Sequence, residues 1–303
     1  MIGHLRIKNP WSQLALFLGL FGVAFILTGL ISILIYQANG VNPQKPDLTN
    51  PDVINTMKGV QATMSVVLFM LPPLLFAQFT FTGRYSYFLG FRKAQKSNMY
   101  ILAVIGMLLS FPFVLWLGEL NQVIPLPDYL NNLEEDASRQ MTSFLKVENT
   151  RDVLVNLFIV AVLPAIGEEL CFRGALQRVL IHISKNPWIG IILTAFLFSA
   201  LHMQFKGFLP RMFLGVVLGA FYWYSASLWT SIIAHFIYNA AQVLLVSYNQ
   251  DFATGNPELP VLYAIASGLV VWAIVWYYSR QSTVTWSKVY RTDDLTPTNQ
   301  FLA

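Results

Sequence analysis

The sequence predicts an all-α, polytopic membrane protein, a bundle of about eight transmembrane helices. Hydrophobic residues make up 55% of the 303 residues and charged residues only 11%, whereas about 25% of an average soluble domain is charged. The apolar residues form long uninterrupted runs, and a helix needs about 20 such residues to cross a bilayer. Strand-like alternation does not occur, so helices are the predicted way to satisfy the backbone groups in lipid.

Eight apolar runs predict the spans in chain order. They cover residues 12–36, 60–82, 99–118, 152–172, 187–205, 208–225, 228–248 and 259–279. The first run is too long for a signal-peptide core, which has about 7–15 residues, so we expect an anchor that is retained. Segment 37–59 is predicted as a loop. Residues 129–147 are predicted as a helix that is either interfacial and amphipathic or a solvated helical loop.

The domain organisation follows from these runs. We expect residues 1–303 to form a single transmembrane domain in which residues 150–248 carry the polar motifs described below. Residues 283–303 are predicted as a polar, loosely ordered cytoplasmic tail. The single cysteine, Cys171, excludes a disulfide within one chain.

The distribution of positive charge favours a cytoplasmic position for both termini. In that orientation the inner segments hold twelve of the nineteen Lys and Arg residues, as the positive-inside rule expects. The net charge of +4 is spread among the loops, so nucleic-acid binding has no support. No organelle-targeting or retrieval signal is evident, and we expect a multi-pass protein of the plasma membrane.

The first of three polar clusters lies at the end of the fourth predicted span. An ionisable side chain in a lipid span costs about 2.5 kcal/mol or more, so each one suggests a function. Glu169 and Arg173 share a helix face and can pair, whereas Glu168 lies about 100° around the helix. The two carboxylates then lie in different environments, as do two acids that have different roles in one site. Pro164 and Gly167 predict a kink or a close helix approach. A structural salt bridge at a helix end explains the pattern about equally well.

The other two clusters lie in the fifth and seventh predicted spans. Phe198 and His202 are four residues apart, as are His235 and Asn239, so each pair shares a helix face. The second pair offers two donors that can point at one oxygen atom. Structural roles, such as polar contacts between helices, also suit each pair alone. Together with the first cluster, however, these residues favour hydrolysis. A carboxylate or histidine can take a proton from water, and donors can stabilise the resulting oxyanion.

These residues resemble the motifs of a known family of intramembrane proteases. Glu-Glu-x-x-x-Arg at 168–173, Phe-x-x-x-His at 198–202 and His-x-x-x-Asn at 235–239 are similar to those of the type II CAAX prenyl protease and bacteriocin-processing (CPBP) family. The resemblance implies an eight-helix bundle and endopeptidase activity on a peptide or protein substrate, with or without a lipid modification. It also implies a role for each residue: Glu168 as the base that activates water, His202 as its assistant, His235 and Asn239 as the oxyanion hole, and Glu169 and Arg173 as groups that orient and balance the site.

Two alternatives remain open from the sequence. Two histidines and one carboxylate form a known zinc geometry, so Glu168, His202 and His235 could hold zinc as a cofactor. The His-Glu-x-x-His string of site-2 zinc proteases, the Gly-x-Ser-Gly of rhomboids and the Gly-x-Gly-Asp of presenilins are absent. The alternative function is a non-proteolytic membrane carrier or scaffold that uses the same polar groups for binding. The paired half-helix breaks of inverted-repeat transporters are not evident, which favours the protease.

The depths of the predicted residues do not coincide. At 1.5 Å per residue, Glu168 lies about 6 Å, His235 about 10 Å and His202 about 20 Å from the inner face. A shared site therefore requires that residues 176–187 sink into the inner interface. We expect this arrangement, with a cavity that opens toward the cytoplasm.

Overall fold

The computed structural model describes residues 9–80, 85–248 and 259–290, and every regular element in this part of the chain is helical. The predicted all-α class is confirmed. The helices are α1 Pro10–Ala38, α2 Pro51–Thr80, α3 Asn98–Leu109, α4 Phe111–Gln122, α5 Asp128–Leu145, α6 Thr150–Ser184, α7 Pro187–Ala200, α8 Phe208–Ser225, α9 Leu228–Tyr248, α10 Val261–Gln281 and α11 Trp286–Tyr290. A single helical turn, Tyr85–Phe88, precedes α3.

The helices agree with a multi-pass membrane protein. Among the described residues, six helices are long and apolar enough to cross a membrane. A seventh span results if α3 and α4, which are bent by 42°, count as one. The short apolar helix α7 corresponds to the remaining predicted run. The eight predicted runs thus coincide with helices, and the expectation of about eight is roughly met.

Local sequence sets where several helices begin. The side chains of Asn9, Asn50 and Asn186 cap α1, α2 and α7, and a proline follows each of them within the first turn. An asparagine cap followed by proline suits the unpaired N–H groups of a helix start. Because α2 begins at Pro51, the predicted loop 37–59 is shortened to residues 39–50.

The largest difference from the sequence prediction lies in α6. This helix continues to Ser184, although the predicted spans 152–172 and 187–205 left residues 173–186 as a connection between them. The Gln177 amide donates to the Gly219 carbonyl at 3.0 Å, and the Arg178 guanidinium donates to the Phe88 carbonyl at 3.1 Å. Because these buried polar side chains have partners inside the protein, the helix can continue through them. Every residue from Glu169 to Gln177 is buried, so α6 lies in the centre of the bundle.

Two stretches of α6 are wider, π-helical turns. The first, Leu157–Val162, ends just before Pro164, and the second, Glu169–Gln177, begins directly after Glu168. A proline disrupts regular hydrogen bonding, and a widened turn accommodates it. A Cβ atom at Gly167 would lie 2.9 Å from the Ser65 carbonyl oxygen. The close helix approach predicted at Gly167 is therefore confirmed, and its partner is α2.

The chain after Ser282 is ordered as far as Tyr290, although a loosely ordered tail was expected. The Tyr290 hydroxyl donates to the Arg178 carbonyl at 2.7 Å, and the Trp286 indole N–H donates to the Ile181 carbonyl at 3.1 Å. The His182 ring stacks on Tyr290 with 4.6 Å between centroids. The aromatic residues dock α11 on the end of α6. The rest of the predicted tail, residues 291–303, lies outside the described residues.

Candidate active site

The site residues come from α6, from the loop after α7 and from α9. Helices α6 and α7 are joined by a short turn and pack against each other over much of their length. Glu168 lies 16 residues before the end of α6 at Ser184. His202 lies 15 residues after the start of α7 at Pro187. At 1.5 Å per residue, both lie about 22–24 Å from that turn. The depth mismatch between Glu168 and His202 therefore disappears because α6 is longer than predicted. Most of the segment 176–187 continues the helix, so the shared position of Glu168 and His202 no longer depends on its sinking into the interface.

Glu169 lies at the centre of a buried polar cluster. Its Oε1 atom accepts a hydrogen bond from Arg173 Nη1 at 2.7 Å and lies 2.9 Å from His235 Nδ1. Arg173 also donates to the Gly215 carbonyl at 3.1 Å. The side chains of Glu169 and Arg173 are both 0% exposed. The predicted pairing of these two residues is confirmed, and the contact with His235 joins α6 to α9.

Glu168 points differently from its neighbour. Its side chain is 13% exposed and lines a cavity. The Glu168 Oε2 atom lies 3.9 Å from His235 Nε2, which is too long for a direct hydrogen bond. His235 lies between the two acids. Its Nδ1 atom is directed to Glu169, and its Nε2 atom faces Glu168. The two adjacent acids thus occupy the separate environments that the sequence predicts.

The remaining predicted residues complete the wall of the same cavity. His202 Nδ1 lies 2.7 Å from the Phe198 carbonyl oxygen. Since that oxygen only accepts, Nδ1 carries the proton and Nε2 is left as an acceptor in the neutral ring. The Phe198 ring lies against both histidines, with centroids 4.9 Å from His202 and 6.3 Å from His235. Asn239 lines the cavity one helical turn after His235.

Sequence reasoning missed several polar residues of this cavity. The cavity has a volume of about 610 Å³ and is also lined by Gln61, Gln204, Arg211 and Gln242. Arg211 lies inside a predicted span, so the rule that singled out the other charged residues could have found it. The glutamines carry no charge and give no comparable signal. The volume falls within the range of about 300–1,000 Å³ that is typical of ligand pockets.

The cavity extends toward one end of the bundle. Its lining residues lie within 160–172 of α6, 210–218 of α8 and 235–246 of α9, and α5 adds Met141, Phe144 and Leu145. These residues lie toward the end where α5 ends and α6 begins. The contacts of α1 and α11 with the last part of α6 place the start of α1 and all of α11 at the opposite end. The cavity lining therefore lies toward the end of the bundle that is away from the start of α1 and from α11.

The zinc hypothesis finds no support in the arrangement of the ligands. Among the described residues, no group of three His, Cys, Asp or Glu side chains is placed so that it could hold a metal ion. The Nδ1 atoms of His202 and His235 are directed to a carbonyl and to Glu169, which metal-ligating histidines also show, so these contacts do not decide the question. By the three-ligand criterion, the described residues do not fit a catalytic zinc site.

Comparison with known proteins supports the family resemblance. Residues 150–241 match the family described as type II CAAX prenyl endopeptidase Rce1-like. This segment is just under a third of the chain and contains all three motifs. Neither a curated protein nor a solved structure gives a match. The family is one of membrane-embedded proteases that act on peptide substrates in the bilayer, and the apolar helices agree with that setting.

Proposed function

On the premise that the chain belongs with the Rce1-like type II CAAX prenyl endopeptidases, we propose that it is an intramembrane endopeptidase in which Glu168 activates water. The observation that carries this proposal is the unequal placement of two adjacent carboxylates. Glu169 is buried between Arg173 and His235, whereas Glu168 lines the cavity. An acid that already neutralises two partners is poorly placed to take a proton from water, so Glu168 is the better base.

The surrounding residues suit the other steps of peptide hydrolysis. Glu168 takes a proton from water as the oxygen attacks the carbonyl carbon, and later delivers it to the leaving amine. His202 helps to hold this water through Nε2, since its Nδ1 proton is directed to Phe198. His235 and Asn239 donate to the developing oxyanion.

This role requires a particular protonation state of His235. Its Nδ1 proton is directed to Glu169, so donation to the oxyanion through Nε2 needs a second proton on the ring. The Glu169 carboxylate, which accepts from Nδ1, orients the ring so that Nε2 faces Glu168 and the cavity. Arg173 in turn holds that carboxylate in place.

A cleavage assay with purified protein tests this proposal. The substrate is a fluorogenic peptide with an apolar centre, presented in detergent or liposomes. We expect Glu168→Gln, His202→Ala and His235→Ala each to lower the rate by about 10²–10⁴-fold. Glu148→Gln serves as the matched control because its side chain is 68% exposed and does not line the cavity. The proposal fails if all three variants cleave like the parent at equal folded yield.

We further propose an orientation in the plasma membrane. The excess of Lys and Arg places both termini in the cytoplasm, and the cavity then opens on the outer face, which replaces the expected cytoplasmic opening. Variants with one added cysteine test this orientation, because the native Cys171 is buried. A membrane-impermeant maleimide should label Gln242→Cys in intact cells and Ser287→Cys only after permeabilisation. The opposite pattern would refute the orientation and leave the chemistry untouched.

A further inference from the structure

The loop that carries His202 depends on residues outside it. Residues 201–207 connect α7 to α8 and contain only one short 3₁₀ turn, Phe205–Gly207. Met203, next to His202, has a φ angle of +52°. A non-glycine residue rarely adopts this left-handed conformation unless its surroundings hold it there. Side chains outside the loop donate to or accept from its backbone, namely those of Asn121, Glu134 and Arg211.

Arg211 holds the loop from α8. Its Nη1 atom donates to the Gln204 side-chain oxygen at 2.9 Å, and its Nη2 atom donates to the Gln204 backbone carbonyl. A Cβ atom at Gly207 would lie 2.6 Å from Arg211 Nη1, so the glycine makes room for the guanidinium group. The guanidinium thus binds both the backbone and the side chain of the residue two positions after His202.

Glu134 reaches the same loop from α5. Its Oε1 atom accepts a hydrogen bond from the Lys206 backbone N–H at 3.1 Å. Within α5 only Leu145 is buried. The hydrogen bond from Lys206 N–H to Glu134 is therefore a main point of attachment between α5 and the loop 201–207. The end of α5 also lines the cavity.

We infer that Glu134 and Arg211 are positioning residues that fix the loop 201–207 and thereby place His202 at the cavity. Docking of α5 is thus coupled to the competence of the site. Glu134 lies outside the segment that matches the family, and Arg211 lies outside the three motifs. The inference deepens the proposed function and rests on the role of His202 in it.

Enzyme kinetics test the inference. Glu134→Ala should lower kcat by about 10–100-fold with little change in KM, since a small misplacement of a catalytic group costs this much. Glu134→Gln retains an acceptor oxygen for Lys206 N–H and should recover most of the rate. The neighbouring Glu135 is exposed, so Glu135→Ala should cleave like the parent and is the matched control.

The same assay in a His202→Ala background separates positioning from a general effect. If Glu134 acts through His202, adding Glu134→Ala to that background causes no further loss of kcat. A full additional loss would overturn the inference. Arg211→Lys should lower kcat as well, because a single ammonium group cannot reproduce the two hydrogen bonds that the guanidinium makes with Gln204.

Cysteine labelling tests the loop without any need for catalysis. Leu201 is 49% exposed and adjoins His202, so Leu201→Cys reports on the loop while Cys171 stays buried. Adding Glu134→Ala should change the rate of maleimide labelling severalfold, and adding Glu135→Ala should not. An unchanged rate in the Glu134→Ala protein would overturn the inference. If the parent cleaves no peptide, the proposed function fails, and the labelling still decides whether Glu134 holds the loop.

Discussion

Removal of the Arg173 guanidinium tests how the buried charge of Glu169 is stabilised. In Arg173→Met, Glu169 loses a hydrogen bond of 2.7 Å and the Gly215 carbonyl loses one of 3.1 Å. Both side chains of the ion pair are 0% exposed, so water cannot replace the lost partner. Breaking a buried pair in this way costs about 3–5 kcal/mol. That cost is a large part of the roughly 5–15 kcal/mol by which typical proteins are stable.

Unfolding of the detergent-solubilised protein, followed by circular dichroism, measures this cost. The double variant Glu169→Gln, Arg173→Met removes both charges and should recover part of the lost stability. Arg280→Met is the matched control, because Arg280 is exposed and its loss should change stability by about 0.5 kcal/mol or less. The reasoning is refuted if Arg173→Met is as stable as the parent, or if the double variant is no more stable than Arg173→Met alone.

Three further predictions concern packing, metal dependence and pH. Gly167→Ala should lower the free energy of unfolding by about 1–3 kcal/mol, because its Cβ would lie 2.9 Å from the Ser65 carbonyl oxygen. The control is Gly59→Ala, whose Cβ enters open space, and thermal unfolding compares the two variants. Cleavage should continue in 1,10-phenanthroline, since the described residues offer no three-ligand metal set, and a loss of activity that zinc restores would contradict this. Burial raises the pKa of Tyr290 above its ordinary value, so the folded protein keeps a proton that the unfolded chain releases above about pH 10. The stability that this docked tyrosine contributes is present below that pH and is lost as the pH rises through the raised pKa. In Tyr290→Phe this loss of stability at high pH should be absent, which tryptophan-fluorescence titrations measure.

The apolar runs predicted the helices well because lipid allows few other structures. The predicted end of the fourth span was wrong because α6 contains polar residues. A local sequence pattern does not distinguish a buried polar residue from a solvated one. Gln177 and Arg178 each donate a hydrogen bond to a backbone carbonyl, that of Gly219 and that of Phe88. These partners are 42 and 90 positions away along the chain, so no local pattern indicates them.

The candidate site was predicted only as far as helix periodicity reaches. The pairing of Glu169 with Arg173 follows from their four-residue spacing on one helix. The contact of Glu169 with His235 depends on how α6 packs against α9, and the contact of Glu134 with the loop after His202 depends on where α5 lies. The sequence predicted which residues carry polar chemistry, but their partners on other helices required the structure.

The position of Glu168 shows how one missed helix end changes a functional interpretation. A span that ended at residue 172 placed this carboxylate about 6 Å from the membrane face, where charged residues are ordinary and a structural salt bridge explained the motif equally well. Because α6 continues to Ser184, Glu168 lies about 24 Å from that end of the helix. A carboxylate in the middle of an apolar bundle costs about 2.5 kcal/mol or more, and such residues are retained for a partner or a function. Arg173 binds Glu169 instead of Glu168, so the position of Glu168 in the cavity favours a catalytic role over a structural one.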